Sequence, residues 1–153
     1  MPDSPLSSGC TCFTLRRLTR TVSRLYDVHL AGAGLKTTQY SLLRSIAHEA
    51  LPVAALAARL STERTTLTRT LKPLIDAGWV VLEPGADSRQ RIVTITDAGH
   101  AAIKAARQAW RCAQSELEAT LGVAAVNELH RQIDNALNLL TPLIGKNTHA
   151  FED

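Results

Sequence analysis

At 153 residues the chain is one domain long, with one core and room for an extra arm, so two large independent domains are excluded. Hydrophobic residues at 45% and charged residues at 20% are those of a globular protein; no apolar run reaches the roughly 18 residues of a membrane span, residues 1–11 lack the pattern of a signal peptide, and a cytoplasmic chain with no membrane partner is expected. The formal charge of +3 is unevenly spread: residues 1–111 hold 15 Lys/Arg against 8 Asp/Glu, and residues 112–153 hold 2 against 6, so the first part is suited to meet a polyanion.

Leu and Ala dominate the apolar share and aromatics make up only 4%, which favours helices. Residues 1–9, rich in Pro, Ser and Gly, read as a flexible arm. From Phe13 to Leu30 the positions Leu15, Leu18, Val22, Leu25 and His29 or Leu30 alternate by three and four, predicting a helix with one buried stripe. Arg16, Arg17, Arg20 and Arg24 lie off that stripe. The small residues Ala31 to Gly34 break it, and Thr37 or Thr38 is expected to cap a second helix carrying Tyr40, Leu42, Leu43 and Ile46.

Pro52 suits the first position of a short helix with Val53, Leu56, Ala57 and Leu60 at helical spacing. Ser61 and Thr62 offer a turn and a cap, after which Leu67, Leu71, Leu74 and Ile75 form the inner face of a helix ending at Ala77 and Gly78. Pro73 is expected to kink it. Two helices across a tight polar turn make a helix-turn-helix pattern. The period then changes: Val80 to Leu82 and Ile92 to Ile95 flank Pro84 to Ser88, which reads as a β-hairpin with a polar tip. A helical pair followed by such a hairpin is a winged helix.

Thr96 and Asp97 cap a long helix in which Ile103, Ala106, Trp110, Ala113, Leu117 and Leu121 keep a three-four rhythm up to Gly122. A last helix carries Val126, Leu129, Ile133, Ala136 or Leu137, Leu140 and Leu143 or Ile144. These stripes are longer than a small core can cover, so a second copy of the chain is expected to cover them, making a homodimer.

At 100° per residue, Thr65, Thr66, Arg69 and Lys72 fall opposite the buried leucines of the helix after Thr62. Short hydroxyls permit close approach to a major groove, and Arg69 and Lys72 suit phosphate or guanine. Free N–H groups near Thr62, Glu63 and Arg64 suit a phosphate. On the hairpin, Arg89 and Arg91 suit a narrow minor groove, with Asp87 placed to orient one of them. Double-stranded DNA is therefore the expected partner.

The order of elements and the fragments Gly34 to Leu43, Thr66 to Arg69, Ala77 to Val80, Asp87 to Arg89 and Ile95 to Gly99 together resemble the MarR family of dimeric winged helix-turn-helix transcriptional regulators. The resemblance implies a mainly α fold with a small β-hairpin wing, in which N- and C-terminal dimerisation helices flank the winged helix-turn-helix domain. It divides the chain into the arm (1–9), an N-terminal dimerisation helix (10–34), a DNA-binding lobe (35–97), C-terminal dimerisation helices (98–146) and a tail (147–153). It further implies a repressor that binds a pseudo-palindromic operator, with Arg89 at the wing tip and Asp87 as its partner. Leu82 and Glu83 stand where basic wing residues are frequent.

Release by a small aromatic or phenolic effector is also implied by the resemblance, and Arg16, Arg20, Tyr26, His29 and His48 are candidates to line its pocket. Cys12 beside Phe13, with Tyr26 further along, is similar to the hydroperoxide-sensing branch of the family, so an oxidant acting on Cys12, or on Cys10, is an alternative switch. Cys112 reads as a small buried residue. Cysteines and histidines are too scattered for a metal site, and no nucleophile-base pair or phosphate loop is present, so no cofactor or enzymatic activity is expected. A winged-helix protein-interaction module is the remaining alternative.

Overall fold

The computed structural model describes residues 9–87 and 89–147, the side chains of residues 144–147 excepted. All of the expected arm but Gly9, the tail beyond residue 147, Ser88 at the wing tip and the side chain of Ile144 lie outside the described residues. The order is α1 (Thr11–Leu30), one 3-10 turn (Ala31–Ala33), α2 (Thr37–Ser45), β1 (Leu51–Pro52), α3 (Val53–Arg59), α4 (Arg64–Asp76), β2 (Val80–Pro84), β3 (Arg91–Ile95), α5 (Asp97–Leu121) and α6 (Val123–Asn147). The fold is thus mainly helical with a small antiparallel wing. Two compact units divide inside α5, one ending at Ala113 and the other starting at Gln114.

The first unit is built on leucine. Leu30 of α1, Leu42 and Leu43 of α2, Leu56 of α3 and Leu67, Leu71 and Leu74 of α4 are fully buried, together with Ile46, Val80 and Val93. Each such side chain contributes about 1.5–3 kcal/mol on leaving water. The three-four spacing seen in the sequence turns one face of α2 and α4 inward; of the stripe expected on α1 only Leu30 is buried, and Leu15 is exposed.

Several helix ends differ from expectation for reasons the hydrogen bonds make plain. Ser61, at φ +48°, and Thr62 close α3: the Ser61 N–H donates to Ala58 at 3.0 Å and the Thr62 N–H to Ala57 at 3.0 Å. Thr62 is thereby used in ending one helix and does not cap the next, whose N-cap is Glu63 in extended conformation. The same closure recurs after α4, where Gly78 (φ +72°) donates to Ile75 and Trp79 to Leu74, both at 2.9 Å. Thr37 is the first residue of α2 and not its cap; its N–H is met by Asp27 of α1, while the Lys36 N–H donates to Gln39 Oε1 at 2.9 Å. α4 continues through Pro73 as one helix, with the Arg69 carbonyl deprived of its usual donor.

The wing is a three-stranded antiparallel sheet in the order β1-β3-β2, one strand more than the expected hairpin. Pro52 belongs to β1 and precedes α3 at ψ 142°; it is not the first helical residue. Leu51 pairs with Val93, and the hairpin register runs from Val80 opposite Ile95 to Pro84 opposite Arg91, so Pro84 ends a strand and the tip is shorter than predicted. Thr96 ties this sheet to α5: its hydroxyl donates to the Gly78 carbonyl at 2.8 Å and accepts the Gly99 N–H at 3.1 Å. Gly99 has to be glycine, because a Cβ there would lie 2.3 Å from the Trp79 carbonyl oxygen.

In the second unit, Gly122 at φ +89° separates the end of α5 from α6, and Val126 is buried. Leu137, Leu140 and Leu143, which keep the rhythm of the stripe read from the sequence, are each more than half exposed, as is Leu139 beside them. Glu128 bonds Arg131 and Gln132, and the Arg131 guanidinium holds its carboxyl below the usual carboxylate range. No helix among the described residues is long and apolar enough to cross a membrane.

Candidate nucleic-acid interface and effector cavity

α4 buries Leu67, Leu71 and Leu74, and helical geometry then turns Thr65 and Arg69 to the opposite side, where both are exposed. Thr66 and Thr62 stand on the flank facing α2, lining a hollow of about 270 Å³ with Thr38, Ser41 and Thr70. The flank facing the wing carries Arg64. Lys72 on the same helix is held by Asp76, with Nζ to Oδ2 at 2.9 Å, so its charge is already answered within the helix. That pairing was not foreseen, and it separates Lys72 from Arg69.

At the wing, Asp87 Oδ1 accepts the backbone N–H of Arg89 at 3.0 Å, Gln90 donates to the Asp87 carbonyl at 2.9 Å, and Gly85 donates to the Gln90 carbonyl at 2.9 Å. Asp87 is thus a partner of Arg89 through that residue's backbone N–H, and it shapes the tip through the main chain. Arg89 and Arg91 are exposed and, with Arg64 and Asp87, line a groove of about 230 Å³. Ion pairs join Arg59 to Glu49, Lys72 to Asp76 and Arg131 to Glu128, and no ion pair among the described residues engages Arg64, Arg69, Arg89 or Arg91.

A second basic site lies between α2 and α5. A cavity of about 460 Å³ is lined by Tyr40, Ser41, Arg44, Arg107, Trp110 and Arg111. Trp110 forms its aromatic wall, with Tyr40 stacked 6.4 Å away at 24° and Tyr26 tilted at 6.4 Å and 56°. No carboxylate among the described residues pairs with Arg44, Arg107 or Arg111. Three cations beside two aromatic rings suit a small planar anion.

Three comparisons bear on this arrangement. The MarR family model matches residues 33–91, from the turn before α2 to the first residue of β3. The transcriptional regulator MosR of M. tuberculosis, solved in complex with DNA, is 36% identical with a TM-score of 0.78 over 88% of this chain and 98% of that one. MosR solved alone is 34% identical with a TM-score of 0.74 over the same shares. The chain belongs to the MarR family of winged helix-turn-helix transcriptional regulators. A cysteine-to-serine variant of E. coli MarR complexed with operator DNA is 25% identical, with a TM-score of 0.73 over 81% of this chain and 91% of that chain. Comparison with curated proteins returned no match. Members of this family are regulators and not enzymes.

Of the pocket residues expected in this MarR-family chain, none lines the cavity between α2 and α5. Arg16 and Arg20 are exposed on α1, His48 is exposed beyond α2, His29 is half-buried, and Tyr26 is buried behind Trp110. Sequence reasoning missed Arg44, Arg107 and Arg111; the signal available was Arg107 and Arg111 one turn apart around Trp110 on a helix otherwise reserved for packing. Cys10, Cys12 and Cys112 are all exposed free thiols, so Cys112 is not the buried residue expected. Cys10, not Cys12, occupies the N-cap of α1, where its Sγ accepts the Phe13 N–H at 3.5 Å.

Proposed function

We propose that this protein is a homodimeric repressor that binds a pseudo-palindromic operator and is released by a small aromatic anion. The observation that carries the DNA reading is the set of exposed cations on α4 and the wing, Arg64, Arg69, Arg89 and Arg91, none of them paired with a carboxylate of the described residues. Free cations release counterions from a duplex, and the hydroxyl of Thr65 beside Arg69 suits close approach to base edges. Pairing of two chains is supported by the exposed leucines of α6 and by the exposed Phe13, Leu15 and Val28 of α1, apolar faces that a second copy would cover. The anionic effector follows from Arg44, Arg107 and Arg111 around Trp110.

A second switch is supported by the exposed Cys10 thiol at the start of α1, whose Sγ accepts the Phe13 N–H and is open to an oxidant. The deciding experiment is selection of bound sequences from random duplexes, repeated with benzoate and with a hydroperoxide. Enrichment of an inverted repeat is expected, with benzoate releasing the protein. A hydroperoxide effect that disappears in Cys10→Ser or Cys12→Ser would favour the thiol switch. Failure to enrich any sequence, or affinity indifferent to salt, would favour a protein-interaction module instead.

A further inference from the structure

The wing groove continues into a second one. Arg64 and Arg91 line the groove of about 230 Å³ beside Arg89, and also a neighbouring groove of about 430 Å³ whose floor is made by Leu71, Ile75 and Leu82. The two residues therefore stand together at the junction between recognition helix and wing, Arg64 from the first turn of α4 and Arg91 from the first position of β3. Neither is paired with a carboxylate of the described residues, whereas Lys72, which also lines the larger groove, pairs with Asp76.

We propose that Arg64 and Arg91 form a clamp for the sugar-phosphate strand that separates the two grooves the protein reads. The inference rests on the DNA reading above. If α4 enters a major groove and the wing enters the adjacent minor groove, one backbone strand has to pass through the cleft between them, since that strand is the wall the two grooves share. The cleft offers that strand what it requires: two guanidinium groups for phosphate oxygens and an apolar floor for deoxyribose. The clamp fixes register and orientation and carries no base information. It divides the basic residues by task, with Arg64 and Arg91 for position and Arg69 and Arg89 for the grooves themselves.

The test measures the affinity of Arg64→Ala, Arg91→Ala and Arg69→Ala across a salt series. Two probes are used: a duplex selected by the wild-type protein and a random-sequence duplex pool. Arg64→Ala and Arg91→Ala are each expected to weaken both probes by a similar factor, about tenfold, and to lower the slope of log affinity against log salt by about one, leaving the ratio between probes unchanged. Arg69→Ala is expected to lower that ratio. A loss confined to the selected duplex, or a wild-type salt slope in both clamp variants, would overturn the clamp while leaving DNA binding intact. A wild-type protein that binds neither probe would overturn the DNA reading itself. Both arginines are exposed, and Arg64→Lys and Arg91→Lys, which keep the charge, are expected to restore the salt slope.

Discussion

Asp27 of α1 holds the start of α2: its Oδ1 accepts both the backbone N–H of Thr37, at 2.7 Å, and the Thr37 hydroxyl, at 2.6 Å. A carboxylate from another helix thus does the work of a cap residue, satisfying an amide that the helix cannot satisfy itself and placing negative charge at its positive end. Asp27→Ala is expected to cost about 1–2 kcal/mol, read as a lower midpoint of denaturant unfolding. An unchanged midpoint would mean that water serves Thr37 equally well.

The cations of the interface are expected to differ in worth. Arg69→Ala and Arg89→Ala each weaken binding to a selected duplex by about ten- to a hundredfold, in keeping with about 1–3 kcal/mol per groove contact. Lys72→Ala changes it little, because Asp76 already holds that ammonium. Titration of a labelled duplex orders the three, and sedimentation of the same variants is expected to show unaltered assembly. Equal losses for Lys72 and Arg69 would contradict the division.

Trp79 and Trp110 are the two tryptophans of the chain, so Trp79→Phe leaves Trp110 as sole indole reporter. In that background benzoate is expected to alter the emission saturably, and Arg107→Ala is expected to weaken the response about tenfold, the worth of one charge-assisted contact. A response that Arg107→Ala leaves untouched would remove the cavity from the release mechanism.

Leu137 and Leu140 are 51% and 54% exposed along one side of α6. Replacing both by Glu is expected to yield monomers in sedimentation velocity, since charges in a covered apolar seam are not tolerated. DNA affinity would then fall with the loss of the second half-site. Variants that remain dimeric would show that the partner is held elsewhere.

Gly99→Ala brings a methyl group onto the Trp79 carbonyl and the Ile95 side chain, with separations of 2.3 and 2.6 Å to be relieved. Relief requires shifting the start of α5 from the sheet, at a cost of about 1–3 kcal/mol. The midpoint of unfolding measures it; a neutral outcome would mean that α5 gives way freely.

The helices and the wing were legible because their signals are periodic: apolar residues at three-four spacing became the buried faces of α2 and α4, and β-branched runs became β2 and β3, whereas of the α1 stripe only Leu30 is buried. What escaped was non-periodic. β1 has two residues and no period to read. Thr62 looked like a cap because side-chain chemistry at a turn does not say which helix will use it, and Ser61 in left-handed conformation gave that turn to α3. Asp27 and Thr37 sit ten positions apart, as do Arg59 and Glu49, beyond any local rule. For the same reason the cavity between α2 and α5 was not foreseen. Arg44 and Arg107 are brought together by tertiary packing, whereas Arg16 and Arg20 were attractive only through their place on the first helix.

The Asp87 carboxylate spends itself on the main chain of the wing and leaves the neighbouring guanidinium uncommitted. A loop that meets a surface ordinarily surrenders conformational freedom at that moment, and the surrender is deducted from affinity. Here part of it has been given up in advance, by bonds internal to the loop itself. A wing arginine that docks on a duplex, as proposed, is then expected to forfeit less freedom on docking and to keep more of its attraction to the polyanion as affinity.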